Sequence, residues 1–264
     1  MKTKAIKLNS IILFTVVITL FNCKGKQGDP GPAGSTGSTG PSLSGTIQGV
    51  LTLTSSNGTQ PTDMSGVTVK TNKGDSAVTN TSGEWSLNEV TGIYTLTFTK
   101  AGYGTTTVNG YNFAGGGTSY LNTVALSQTP LDTVGIVLDT VGGNSSATKD
   151  LHINVTLNIT FATAQTEDRE FFIYYSTSSS VSSSNYMGMV TVAVPATQTT
   201  YKTTITGSDF LAAQIAAGQV VYVVAYPSAT SAALSSKYVN ESIGKTVYTA
   251  LGPVSVTENM QVPH

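Results

Sequence analysis

The chain has 264 residues, of which 39% are hydrophobic and only 10% charged. Its 13 Lys and Arg nearly balance 14 Asp and Glu, for a net charge of -1. A surface so close to neutral lacks the field that recruits nucleic acid or an anionic membrane. The length suffices for one large or two modest domains, and a single cysteine, Cys23, excludes an internal disulfide.

Residues 1–22 read as a secretion signal. Lys2, Lys4 and Lys7 form a basic start, and an apolar run follows from Ile11 to Phe21. That run is far shorter than the roughly twenty residues a membrane-spanning helix needs, but it suits a signal h-region. The run ends in Leu20-Phe21-Asn22-Cys23, which resembles the lipobox of bacterial lipoproteins, with Asn22 in place of the usual Gly, Ala or Ser. The resemblance implies cleavage before Cys23, diacylation of its thiol and acylation of the new amine. Two or more acyl chains make a stable membrane anchor where one does not. An ordinary cleaved signal with an incidental cysteine is the alternative. Lys24 follows where Asp commonly signals inner-membrane retention in such lipoproteins, so the outer membrane is the expected address, on either of its faces.

Residues 23–43 form a tether. Glycine recurs at Gly25, Gly28, Gly31, Gly34, Gly37 and Gly40, with Pro30 and Pro32 inside the repeats. This is the Gly-X-Y period of collagen, in which only glycine fits at the axis of three packed chains, and it resembles the collagen-like segments of some bacterial surface proteins. It reads either as an extended spacer or as a trimerising stem that would add avidity to weak sites. Five basic residues (Lys2, Lys4, Lys7, Lys24 and Lys26) lie in the signal and tether, which leaves the remainder mildly acidic.

From Ser44 the pattern becomes short alternating strands: Thr46 to Leu53, Val67 to Lys70, Glu84 to Leu87 and Ile93 to Thr99. Ser56-Asn57-Gly58, Lys73-Gly74-Asp75 and Ser82-Gly83 separate them. Such spacing predicts an all-β sandwich or barrel, and the alternation predicts antiparallel sheets with one wet face. Val78-Thr79-Asn80-Thr81-Ser82-Gly83-Glu84-Trp85-Ser86-Leu87 resembles the T-D-x-x-G-x-F-x-L signature of carboxypeptidase regulatory-like domains, with Asn80 for Asp and Trp85 for Phe. Gly92-Ile93-Tyr94-Thr95-Leu96 and Gly102-Tyr103 match that family's later elements. The resemblance covers residues 44–128 and implies a seven-stranded, transthyretin-like sandwich of the carbohydrate-binding-like kind. Read from the residues themselves, Gly83 is a tight-turn position, and Trp85, Tyr94 and Leu96 point inward.

Residues 129–264 form a second unit. Strands are expected at Thr133 to Asp139, Leu151 to Phe161, Glu170 to Ser176, Met189 to Val194, Tyr201 to Thr206 and Gln219 to Tyr226, the last being central. Lys245 to Ala250 and Val254 to Thr257 would close the sheet. Ser208 or Asp209 can cap a helix over Phe210 to Ala217, ended by Gly218. Tyr222-Val223-Val224-Ala225-Tyr226 resembles, less closely, a late strand of fibronectin type III or immunoglobulin-like sandwiches. The whole is therefore an all-β chain of two tandem sandwiches.

Catalysis finds little support. His264 is terminal, and His152 lies in an alternating strand. The chain contains no H-E-x-x-H, no G-x-S-x-G and no P-loop. No cofactor and no nucleic acid are implied. Glu167-Asp168-Arg169-Glu170, with Asp139 or Asp150, offers hard oxygen ligands for calcium or simply a solvated turn. Tyr103, Tyr111, Phe113 and Tyr120 lie in a glycine-rich stretch and form either a stacking platform for sugars or packing for the bottom of the sandwich or the inter-domain seam. Two functions follow: a lipid-anchored envelope protein with a ligand-binding or adhesive surface, carbohydrate being the leading ligand, or an assembly partner recognised by another envelope protein.

Overall fold

A computed structural model of the chain describes residues 28–29, 31, 40, 42–140, 152–164, 167–229 and 236–263. Cys23, most of the Gly-X-Y tether and Asp150 lie outside the described residues. Within the remainder, the two-residue period of the sequence decides which side chains are buried. In β4 (Glu84–Val90), Trp85, Leu87 and Glu89 face inward while Glu84, Ser86, Asn88 and Val90 face solvent. β5 (Gly92–Thr99) buries Tyr94, Leu96 and Phe98 in the same way.

Seven strands make the first sandwich. One sheet has the order β4-β1-β7, with β1 at Ser44–Thr54 and β7 at Thr118–Ser127. The facing sheet has the order β3-β2-β5-β6, with β2 at Thr68–Thr71, β3 at Ser76–Val78 and β6 at Thr106–Phe113. Ile47, Leu51, Leu53, Trp85, Leu87, Tyr94, Leu96 and Phe98 pack between them, and the Trp85 and Phe98 rings meet edge to face at 5.6 Å. One pairing departs from the antiparallel expectation: β1 and β7 run parallel, from Thr46 opposite Thr118 to Thr54 opposite Ser127. The chain crosses from one sheet to the other between β6 and β7, so β7 arrives alongside β1 in the same direction.

That crossing explains the glycines at 115–117. Gly115 and Gly116 have φ of 73° and 74°, a backbone region that glycine enters without steric cost. A Cβ on Gly115 would overlap the Leu43 carbonyl oxygen. Gly116 N–H donates to Ser44 O at 3.0 Å, and Thr46 N–H donates to Gly117 O at 2.8 Å. The triplet thus clamps the start of β1.

The second sandwich also has seven strands. β12 (Thr200–Ile205), β9 (Ile153–Thr160) and β8 (Thr133–Asp139) form one sheet. β11 (Gly188–Val194), β10 (Arg169–Ser176), β13 (Val220–Pro227) and β16 (Glu258–Gln261) form the other. Its core joins Ile153, Val155, Leu157, Phe171, Ile173, Val221 and Val223. β13 is internal, as its apolar sequence predicts. The closing strand is displaced from the expected Val254 to Thr257: it is β16. Pro253 supplies no backbone donor. Ser255 binds β13 locally instead, its N–H donating to Ala225 O at 2.9 Å and its Oγ accepting from Ala225 N–H at 2.9 Å.

The short helix α1 (Gly207–Ala212) begins earlier and ends sooner than predicted. Thr206, rather than Ser208 or Asp209, is the N-cap. Its Oγ1 accepts from Asp209 N–H, and the Asp209 carboxylate accepts from Thr206 N–H at 2.8 Å, a reciprocal capping box. Gln214, at φ 58°, stops the helix ahead of Gly218.

A further hairpin, β14 (Lys237–Asn240) with β15 (Lys245–Tyr248), pairs only with itself among the described residues: the strand expected at Lys245 to Ala250 is present as β15 but pairs with β14, itself not among the expected elements, instead of closing the sheet. It covers the second face of the β11-β10-β13-β16 sheet, where Phe172, Tyr174, Val181 and Val224 form a separate cluster with Tyr186, Tyr226 and Tyr248. The segments flanking it also join the two sandwiches. Ser236 Oγ accepts from Ser127 N–H at 2.5 Å, and Thr249 Oγ1 donates to Thr105 O at 2.6 Å. Both sandwiches belong to one contact unit, Ser42–His264.

Candidate functional site: a cleft on the first sandwich

The four aromatic residues singled out in the glycine-rich stretch do not form one platform. Phe113 is 2% exposed and meets Tyr94 edge to face at 6.5 Å, which corrects its candidacy as a sugar-stacking ring. Tyr111 and Phe113 are two residues apart on β6 and therefore point the same way. Tyr111 is half-buried against the first core, its hydroxyl 2.6 Å from Ser119 Oγ. Tyr103 is also half-buried against that core, with Lys100 Nζ 5.8 Å from its ring centre. Tyr120 differs from all three, being 72% exposed on β7.

Tyr120 lines a cleft of about 480 Å3 on the outward side of the β4-β1-β7 sheet, within the ~300–1,000 Å3 of small-molecule sites. The register brings its walls together. Gln48 of β1 lies opposite Ser86 of β4 on one side and Tyr120 of β7 on the other, so Ser86, Gln48 and Tyr120 form one row across three strands. Val50 lies opposite Glu84 in the next outward row. Val50 and Val78, like Tyr120, are exposed.

The Asn80–Gly83 turn shapes the opposite rim. Asn80 Oδ1 accepts from Ser82 N–H at 3.0 Å and Glu84 N–H at 2.9 Å, a side-chain-closed turn. Gly83 has φ 80°, and a Cβ there would overlap the Leu51 carbonyl oxygen. Asn80, which stands where the resembled signature has Asp, thus closes the turn through its side-chain oxygen. With its oxygen occupied, the Asn80 amide nitrogen faces Glu84 and donates to Oε2 at 2.8 Å. Among the described residues, Glu84 is the single carboxylate lining the cleft, and no lysine, arginine or histidine lines it.

Sequence reasoning missed Gln48, Glu84 and Ser86. Their outward alternation was a visible signal, but their union with Tyr120 depends on the parallel pairing of strands about seventy residues apart.

Within the acidic turn, one residue is drawn into the interior. Arg169 points inward, 2% exposed, with Nε 3.6 Å from the Asp132 carboxylate, itself 3% exposed. Asp132 Oδ1 also accepts from Ala162 N–H at 2.8 Å. Burial lowers the Arg169 pKa, partly countered by Asp132. Glu167 and Asp168 remain exposed, and no group of three or more His, Cys, Asp or Glu suited to a metal occurs among the described residues.

No protein-family model matches the sequence, and no curated protein matches it. Among solved structures, the chain is similar to a DUF3823 family protein from Parabacteroides merdae ATCC 43184, at 13% identity and a TM-score of 0.31, over 84% of this chain and 100% of that one. It is similar to a protein of Bacteroides uniformis ATCC 8492 provisionally described as carbohydrate binding, at 14% identity and a TM-score of 0.31, over 82% of this chain and 99% of that one. A cohesin–X-dockerin complex from Acetivibrio cellulolyticus aligns at 25% identity and a TM-score of 0.28, over 32% of this chain and 58% of that one. None of these similarities assigns a ligand to the cleft.

Proposed function

We propose that this chain is a bacterial envelope lipoprotein, anchored through Cys23 in the outer membrane, that binds carbohydrate in the cleft of its first sandwich and catalyses no reaction. The observation that carries the reading is Tyr120, a ring exposed at the end of a polar row formed by Ser86 and Gln48. An amphipathic ring beside amide and hydroxyl groups suits a sugar, which has an apolar face and a rim of hydroxyls. The cleft supplies one carboxylate, where glycosidic hydrolysis uses a pair. The Gly-X-Y tether serves as a spacer that holds the sandwiches away from the bilayer.

The test uses the full chain in cells fed an alkyne fatty acid. Label should enter the wild type and be lost with Cys23→Ala, which should also leave the membrane fraction. The labelled protein, purified in detergent, is then screened on a glycan array, where Tyr120→Ala should abolish the signal. Absence of any glycan signal together with a stoichiometric co-purifying envelope protein would replace this reading with the assembly role.

A further inference from the structure

Resting on that reading, we infer that the cleft selects sugar chains without acidic groups, and that Glu84 is the residue that enforces the choice. Glu84 opens β4 immediately after the Gly83 turn, and its position is fixed before any ligand arrives. Asn80 is oriented by two backbone donors on its oxygen, so its amide nitrogen has one direction available and holds Glu84 Oε2 at 2.8 Å. An ionised carboxylate offers about four acceptor sites, so most of its capacity remains for ligand hydroxyl or ammonium donors. Preorganised acceptors of this kind cost little reorganisation on binding.

The remainder of the lining gives the selection its sign. Gln48 and Ser86 are neutral, Tyr120, Val50 and Val78 are largely apolar, and among the described residues no cationic side chain lines the cleft to neutralise a second negative charge. A uronate carboxylate or a sulfate placed here meets Glu84 with nothing between them to compensate, whereas a hydroxyl donates to it. The row Ser86–Gln48–Tyr120 crosses three strands and so spans about 10 Å, room for a short stretch of chain laid across the sheet with one ring over Tyr120.

The experiment prints matched oligosaccharides on one array: neutral β-glucans and mannans, amine-bearing chitosan oligomers, and uronate-bearing or sulfated counterparts. The full chain in detergent is compared with Glu84→Gln and Tyr120→Ala. Glutamine keeps an acceptor for Asn80 and removes the charge. Wild type should bind a neutral or amine-bearing chain and bind its acidic counterpart on the order of tenfold more weakly at low salt. Glu84→Gln should close that gap, the acidic chain gaining on its neutral counterpart once the charge is removed. A wild type that prefers acidic chains, or a gap that survives Glu84→Gln, overturns the inference while binding lost in Tyr120→Ala leaves the carbohydrate reading standing. No binding to any glycan overturns both.

Discussion

The outward face of the β4-β1-β7 sheet is bare, whereas that of the β11-β10-β13-β16 sheet lies beneath a second layer of side chains. In β4, every inward residue is buried and every outward residue is exposed. In β10, seven of eight residues are buried and the other, Glu170, is half-buried. The loop at 177–187 and the β14–β15 hairpin produce this difference. Tyr186 OH donates to Thr246 O at 3.0 Å, and Lys245 Nζ donates to Met187 O at 3.0 Å while lying 4.4 Å over the Tyr186 ring. Both sandwiches began from sheets of similar size, and the chain spent an extra hairpin on closing one of them. The aromatic residues on the closed face therefore stabilise the fold, while the ring on the open face has no such partner among the described residues.

The largest expected effect comes from breaking the covered layer. Phe172 is 1% exposed and its ring centre lies 4.6 Å from that of Tyr248. Phe172→Ala should cost about 3–5 kcal/mol, read as a drop in the urea midpoint, with hydrogen exchange accelerating first in residues 236–248. A loss below about 1 kcal/mol would mean that the hairpin is not held by this cluster.

Glu170 offers a gentler probe of the same strand. Burial raises its pKa, and Asp168 raises it further. A carboxyl whose pKa is raised by folding binds its proton more tightly in the native state. It therefore favours the native state at low pH and works against it as pH rises through the folded pKa. Glu170→Gln should raise the melting temperature at pH 7, and the gain should shrink as pH falls into the carboxylate range. A gain that grows on acidification would contradict the assigned burial.

These contrasts also show which parts of the sequence were legible. The alternation of EWSLNEV announced a strand with one wet face, and the Asn80–Gly83 turn was readable from its residue types. REFFIYYS has no alternation, and a continuous apolar run says that both faces are covered without saying by what. The answer lies at Tyr186 and Tyr248, far along the chain. The same distance hid the cleft. Tyr120 resembled its neighbours Tyr111 and Phe113 in type, and only the pairing of β7 with β1 shows that it alone points outward among polar residues. Ser255, which binds Ala225 through its side chain, likewise replaced a strand that composition alone predicted.

The smallest stability effect is the one that decides the role of the open face. Tyr120 is 72% exposed and belongs to no core cluster, so Tyr120→Ala should move the urea midpoint by no more than about 0.5 kcal/mol. A buried tyrosine replaced by alanine would cost several times that. A large loss would therefore place the ring in the structural class of Phe172 and remove the argument for a ligand. An unchanged midpoint with an unchanged urea slope leaves the ring without a folding role. That outcome leaves the ring, beside Gln48, Ser86 and the carboxylate held by Asn80, available to a ligand from outside the chain.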